Sequence, residues 1–329
     1  MAILVCGGAG YIGSHCVYDL IENGEKVIVV DNLQTGHINA IHKEAIFYQG
    51  DIKEINFLNT VFSKHEIEAV IHFAANSLVG ESMIDPLKYY NNNVHGTEIL
   101  LKAMAINNTK KIVFSSSAAV YGETKTFPIK ESDTTEPTNP YGETKLAMEK
   151  MMKWADIAYG IKYVALRYFN VAGAHPRGLI GEDHNPETHL IPLILQVPLN
   201  KREKIFIYGD DYPTRDGTCI RDYIHVKDLI NGHILALEYL RKDNESNIFN
   251  LGNGLGFSVK EIIEAAEYVT GFSINKEFTA RRHGDPAILV SSSQKAKEIL
   301  GWEPQYTDIR DIISSAWKFH KNNVDGLKK

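Results

Sequence analysis

The sequence predicts an α/β chain built on a doubly wound parallel sheet, with a smaller mixed α/β lobe that binds a substrate. Three observations carry this expectation. Short β-branched runs alternate with longer helical patterns through the first half, as in a parallel sheet covered by helices on both faces. The first apolar run passes directly into a glycine-rich turn that opens a helix. The second half loses that alternation, and Gly and Pro punctuate 171–218.

Taken in order, AILVC at 2–6 has no basic segment before it and reads as a buried strand, not as a signal peptide. A helix follows at 11–23. The β-branched KVIVVD at 26–31 is the second strand and 46–50 the third. A helix at 54–65 leads to AVIHF at 69–73, and a long helix at 86–107 leads to KKIVFS at 110–115. The helix at 141–159 begins after Pro140, a favoured first-turn residue, and IKYVALR at 162–168 closes this half. Helices follow near 226–241 and 258–270. SNIFNLGNG at 246–254 looks like a strand returning to the main sheet, so the two lobes interleave. The expected division is 1–170, with returning segments near 225–253, and a second lobe drawn mainly from 171–329.

A length of 329 residues suits two domains at roughly 150 residues each. Lys and Arg total 35 against 41 Asp and Glu, a net charge of −6, which argues against nucleic acid as a partner. Apolar residues make up 44% and charged residues 23%, a composition that argues against disorder. Cys6, Cys16 and Cys219 are odd in number and lack C-x-x-C spacing, which fits a reducing cytoplasm better than a disulfide framework or a zinc site. No metal ligands are assigned. No run approaches ~18 uninterrupted apolar residues, so neither a membrane span nor a membrane partner is expected.

The first strand runs into Gly7-Gly8-Ala9-Gly10-Tyr11-Ile12-Gly13. Such a turn bends tightly, lets the backbone approach a pyrophosphate, and packs helix close on strand, while the helix N-terminus offers free N–H groups to phosphate. The second strand ends in Asp31, 18 residues after Gly13. A carboxylate there binds ribose hydroxyls and repels a 2′-phosphate, so the cofactor expected in this Rossmann-type sheet is NAD and not NADP. Asp51, ending the third strand, reads either as an adenine-side contact or as a loop cap.

Tyr-Gly-Glu-Thr-Lys occurs twice, at 121–125 and 141–145, and a third Tyr-x-x-x-Lys spans Tyr223 to Lys227. A catalytic pair needs both side chains on one helical face, which i, i+4 spacing supplies only within a helix. The 141 copy runs into LAMEKMMKW, a strong helix former, whereas Pro128 breaks any helix at the 121 copy. The 223 pair lies where a strand hands over to a helix. Tyr141 and Lys145 are therefore the expected pair, and Ser117, at the end of the fifth strand, completes the set. Lys145 as an ammonium lowers the Tyr141 pKa, and Ser117 hydrogen-bonds the substrate oxygen as its proton leaves.

These residues resemble the extended short-chain dehydrogenase/reductase superfamily, and within it the family of UDP-glucose 4-epimerases. The resemblance covers nearly the whole chain. It rests on GGAGYIGSH at 7–15, VDN at 30–32, HFAA at 72–75, VGES at 79–82, NNV at 92–94, FSSS at 114–117 and NPYGETK at 139–145. It continues through LRYFNVAGAHP at 166–176, GDDYPTRDGT at 209–218, RDYIHV at 221–226, NLG at 250–252, RRHGDPA at 281–287 and LGW at 300–302.

The resemblance implies a tightly held NAD and oxidation of the 4-hydroxyl of UDP-galactose or UDP-glucose to a 4-ketone. The hexose then swings about its pyrophosphate link and is reduced on the other face. Ser117, Tyr141 and Lys145 match the family's catalytic positions. Cofactor contacts carry over to Gly7, Gly10, Tyr11, Ile12 and Gly13, to Asp31, Asn32, Asp51 and Ile52, to Phe73, Ala74, Ala75 and Asn92, and to Lys145, Tyr168 and Phe169. Asn170, Arg221 and Arg282 match residues that hold the nucleotide diphosphate, for which guanidinium forks are suited. Ser117, Tyr141, His189, Leu190, Phe206, Tyr208, Asp285 and Leu289 complete the implied substrate site.

Related dehydratases carry Asp-Glu after the strand-five hydroxyl, where this chain has Ala118-Ala119, which transfer no proton. The chain also departs from many members of the family at Ser77, where they have lysine, and at His189, where they have asparagine. Leu289 stands where enzymes restricted to plain hexoses have Tyr and those accepting N-acetylhexosamines have Cys or Ser. Epimerisation of UDP-N-acetylhexosamines or UDP-uronates is thus an alternative, although a uronate needs a cation that the sequence does not identify. A non-catalytic NAD-sensing protein is the alternative from another class. The helix from 141 is apolar more widely than one buried stripe requires, and family members dimerise through it and the helix near 86–107, so a homodimer is expected.

Overall fold

Strand β1 (Ala2–Cys6) is buried at every residue and pairs in parallel with two neighbours, which places it in the interior of a seven-stranded sheet in this computed structural model. Residues 1–124, 126–282 and 285–327 are described. After helix α1 (Tyr11–Glu22) the chain builds outward through β2 (Val27–Asp31) and β3 (Ile46–Gln49). It then crosses by α2 (Ile55–Lys64) to β4 (Ile67–His72), on the opposite side of β1.

The far half follows through α3 (Val79–Ile84), α4 (Pro86–Tyr89), a π-type turn at Tyr90–His95, α5 (Gly96–Ile106), β5 (Lys111–Ser115), α6 (Pro140–Tyr159) and β6 (Lys162–Tyr168). The order is β11-β6-β5-β4-β1-β2-β3, every pair parallel, and β11 (Asn247–Leu251) is the edge strand foreseen at 246–254.

Alternation along the strands fills two cores, one on each face of the sheet. Leu4, Ile28, Val70, Ile112 and Phe114 pack with Leu58 of α2, Met104 of α5 and Met148 of α6. Ile3, Val5, Val29, Ile71 and Val113 face the other way, onto Val17 and Leu20 of α1 and Leu229 and Leu237 of the helix at 226–241.

The smaller lobe holds β7 (Asn170–Ala172), α7 (Leu190–Leu195), β8 (Ile205–Tyr208), β9 (Ile220–Arg221) and β10 (Tyr223–His225). Helix α8 (Val226–Arg241) carries the chain back to the main sheet before β11. Then follow β12 (Phe257–Ser258), α9 (Val259–Thr270), β13 (Lys276–Thr279), β14 (Ile288–Leu289), α10 (Gln294–Leu300) and α11 (Ile309–Asn322). Its own core joins Ile194, Ile207, Ile263 and Ile312. Ser258 and Glu261 close a capping box on α9, and Trp302 is buried with its Nε1 donating to Asp228 O at 2.9 Å, which pins the C-terminal segment to α8.

The helix expected at 86–107 is interrupted. The wide turn at Tyr90–His95 lets the Asn93 amide accept from Asn76 N (2.8 Å) and donate to Asn76 O and Thr144 Oγ1 (3.0 Å each), tying the loop after β4 to α6. The short strands, α3, α7 and the two C-terminal helices were not foreseen. Among the described residues no helix is long and apolar enough to cross a membrane.

Candidate active site

One large cavity opens over the C-terminal ends of the strands where their order reverses between β1 and β4, the usual ligand crevice of an open parallel sheet. Gly7 is built into this junction: its φ is +81°, and a Cβ there would lie 2.6 Å from Ala74 N on the neighbouring strand end. A Cβ on Gly13 would lie 2.0 Å from Gly7 O, so the turn and α1 approach as closely as glycine allows. Gly10 caps α1 from an extended conformation and faces the cavity. Gly7, Gly10, Tyr11, Ile12 and Gly13 all line it, a cradle matched to a dinucleotide pyrophosphate.

Asp31, at the end of β2, lines the cavity. Its two carboxylate oxygens accept from Ala9 N (3.0 Å) and Leu33 N (2.8 Å), leaving lone pairs for ribose hydroxyls. Burial raises its pKa, and these two donors act against the rise. Asn32, Gln34 and Thr35 line this end. The only lysine and arginine lining the cavity among the described residues are Lys145 and Arg221, on other elements. Asp51 lines the cavity and caps its own loop, accepting from Lys53 N at 2.9 Å. Ile52, Phe73, Ala74, Ala75, Asn92, Tyr168 and Phe169 line the same cavity.

Three side chains meet beyond the glycine turn. Asn139 caps α6 by accepting from Gly142 N at 2.9 Å, and with Pro140 it fixes the first turn, on which Tyr141 stands. Lys145 lies one turn on, 2% exposed, donating to Ser115 O at 2.7 Å with its Nζ 5.8 Å from the centre of the Tyr141 ring. Ser117, after β5, accepts from Ala119 N at 3.1 Å.

Burial pulls the Lys145 ammonium down to about 7, against the Glu149 carboxylate one turn away, which pushes it up. Burial also raises the Tyr141 phenol, and it is the Ser117 hydroxyl that opposes the rise. The sequence assigned that opposing role to Lys145, which in this structure is directed at the Ser115 carbonyl.

The competing tyrosines have other partners. Tyr121 is buried, donates to Asn250 Oδ1 at 2.6 Å and accepts from Arg167 Nη1 at 2.9 Å. Lys125 lies outside the described residues. Lys227 is paired with Asp19 of α1, whereas Tyr223 packs in the small-lobe core.

A second wall faces this set. Asp222, fully buried, accepts from Asn253 N (2.7 Å), Gly254 N (3.0 Å) and Ser291 N (2.9 Å). Its backbone accepts from Asn170 N (3.0 Å) and donates to Leu289 O (3.0 Å). One aspartate thus aligns Asn170, Arg221 and Leu289, all of which line the cavity with His189 and Asp285. Leu190, Phe206, Tyr208 and Arg282 do not line it; Arg282 lies over the Tyr208 ring at 3.8 Å.

A family model described as the NAD dependent epimerase/dehydratase family matches residues 3–252. The chain belongs to this epimerase/dehydratase family. It is 61% identical over 326 residues to a UDP-glucose 4-epimerase of Halalkalibacterium halodurans, covering 99% of this chain and 97% of that one. A crystal structure of a UDP-glucose 4-epimerase superposes with a TM-score of 0.99 at 57% identity, with 100% of both chains covered. The Bifidobacterium longum enzyme, solved in complex with NAD+ and UDP, gives a TM-score of 0.94 at 39% identity, covering 99% of this chain and 100% of that one.

Ala118 and Ala119 line the cavity and carry no group able to move a proton. The sequence reading missed Asn93, Asp222 and the buried Glu149–Arg167 pair, because each acts through partners more than ~15 residues away that only the fold assembles. It also missed Glu182 and His184, which line the cavity beside His189. The sequence carries a signal for them in Glu-x-His, repeated at 182–184 and 187–189.

Proposed function

We propose that this chain interconverts UDP-galactose and UDP-glucose by reversible oxidation at sugar C4. The convergence of Ser117, Tyr141 and Lys145 between the glycine turn and the Arg221 wall carries the reading. NAD, when bound along Gly7–Gly13 and Asp31, supplies the acceptor for the hydrogen and electron pair leaving C4. The chain's own groups manage the proton. Tyr141 Oη takes it from the 4-hydroxyl and later returns it, Ser117 Oγ holds the same oxygen, and Lys145 provides positive charge beside the tyrosine. Asn170 and Arg221 hold the diphosphate. Arg221 Nη1 is already tied to Ile220 O (2.9 Å) and Pro286 O (2.8 Å), which orients the rest of the guanidinium. His189, Asp285 and Leu289, which line the cavity, complete the substrate side, and residues 1–170 with 225–253 form the NAD-binding part. The three free, buried cysteines support a cytoplasmic, reducing location.

The deciding experiment offers UDP-galactose, UDP-glucose, a UDP-N-acetylhexosamine and a UDP-uronate side by side to protein purified without added NAD. Turnover of the plain hexoses at least about ten-fold above the other two is expected. Preferential turnover of the N-acetylated sugar would transfer the reading to that substrate through Leu289. Bound NAD with no turnover of any sugar would leave the NAD-sensing reading.

A homodimer is proposed on exposed apolar side chains of two adjoining segments. On α6, Trp154 and Ile157 are 65% and 66% exposed; on α4 and α5, Leu87 and Ile106 are 76% and 66% exposed. Scattered apolar residues are normal, but so many large ones on neighbouring helices form an interface. Light scattering is expected to give twice the chain mass for the wild type and one chain mass for Trp154→Glu/Ile157→Glu. A monomeric wild type would refute the dimer.

A further inference from the structure

We infer that Glu182, His184, Glu187 and His189 form a four-ligand site for a divalent transition metal of the zinc class, set in the cavity wall. One ligand atom from each residue lies within 4.8 Å of the others. His184 Nδ1 is 3.3 Å from Glu182 Oε1 and 3.6 Å from Glu187 Oε2; His189 Nδ1 is 2.5 Å from Glu182 Oε1 and 3.6 Å from Glu187 Oε1. Metal–ligand bonds of about 2.0–2.2 Å in tetrahedral array place ligand atoms roughly 3.3–3.6 Å apart, so most of these separations already match.

Two further observations point to a cation. His184 Nδ1 is buried and faces both carboxylates, yet completes no hydrogen bond. The Glu182 and Glu187 side chains are only 4% and 7% exposed, and among the described residues no lysine or arginine pairs with either. Two nearly buried carboxylates therefore have only imidazoles for countercharge, an arrangement that a divalent ion satisfies. Mixed imidazole and carboxylate donors favour Zn2+ over Mg2+ or Ca2+, which take oxygen ligands.

The site lies where the small lobe meets the nucleotide-binding half. The His184 ring sits edge-on to Tyr11 with centroids 6.2 Å apart, His37 Nε2 lies 2.8 Å from Asp183 O, and α7 begins directly after His189. Four protein donors make it a closed, structural site, and the metal would fix the 182–189 loop as part of the cavity wall.

The test uses untagged full-length protein stripped with chelator, then exposed to Zn2+ or Co2+ and desalted. One zinc per chain by elemental analysis is expected, and the cobalt form should show the visible absorption of tetrahedral coordination. His184→Ala and Glu187→Gln should each weaken zinc binding by at least about ten-fold, whereas His95→Ala, on the exposed surface, should leave it unchanged. Wild-type protein that retains no zinc overturns the site. So does stoichiometric binding unaffected by both ligand substitutions. If the variants do not fold, a cobalt spectrum of the wild type lacking tetrahedral character overturns it alone.

Discussion

Tyr141→Phe is expected to lower kcat for UDP-galactose by about 100- to 10,000-fold while the protein still carries NAD. The substitution removes one oxygen and keeps a ring that is 9% exposed and packed near Lys145, so the first turn of α6 and its Asn139 cap remain. What disappears is the group proposed to take the 4-hydroxyl proton, worth about 3–5 kcal/mol of barrier on that scale. The same experiment has a pH signature. As the proposed base, Tyr141 gives the wild-type rate a limb that rises with pH as the phenol ionises, with burial opposing that ionisation and the Ser117 hydroxyl favouring it. The rising limb should be absent from the residual activity of the Phe variant. Near wild-type turnover, or an unchanged rising limb, would place the base elsewhere.

What the sequence allowed to be read was local. β1, the glycine turn and Asp31 follow one another within a single βαβ unit, and each is dictated by short-range chemistry: β-branched residues, positive φ and a strand-end carboxylate. Tyr141 was separable from Tyr121 because helix formers follow one and Pro128 follows the other. Asp222 was illegible for the opposite reason. Its work is to bind backbone N–H groups of residues 253, 254 and 291, and no pattern near 222 announces partners at such separation. The interruption of the 86–107 helix was hidden likewise, since Asn93 departs from α-helical geometry for contacts with Asn76 and Thr144. Arg221 shows the middle case: its chemistry suggested phosphate, but only Asp222 beneath it explains why it faces the cavity.

Arg167→Met should cost about 3–5 kcal/mol of stability, because it leaves Glu149 buried without its cation. The pair is 5% and 4% exposed at the side chains, with Arg167 Nε donating to Glu149 Oε1 at 2.9 Å and Nη2 to Oε2 at 2.7 Å. Ser116 Oγ donates to the same carboxylate at 2.5 Å, and Arg167 Nη1 to Tyr121 at 2.9 Å, so one guanidinium joins β6, α6 and the segment after β5. Urea unfolding checks the loss, and an unchanged midpoint would refute it. Replacing both partners, Glu149→Met with Arg167→Met, should recover most of the stability, since the unpaired charge is gone. Catalysis should not recover with it. The Glu149 carboxylate is what raises Lys145 against burial, so without it the Lys145 ammonium falls below about 7 and is lost at lower pH. The double variant should therefore fold stably yet lose activity at neutral pH, with its alkaline limb displaced toward acid. That separation would show that the buried pair supports both the sheet and the charge beside Tyr141, whereas a double variant with the wild-type pH profile would confine it to structure.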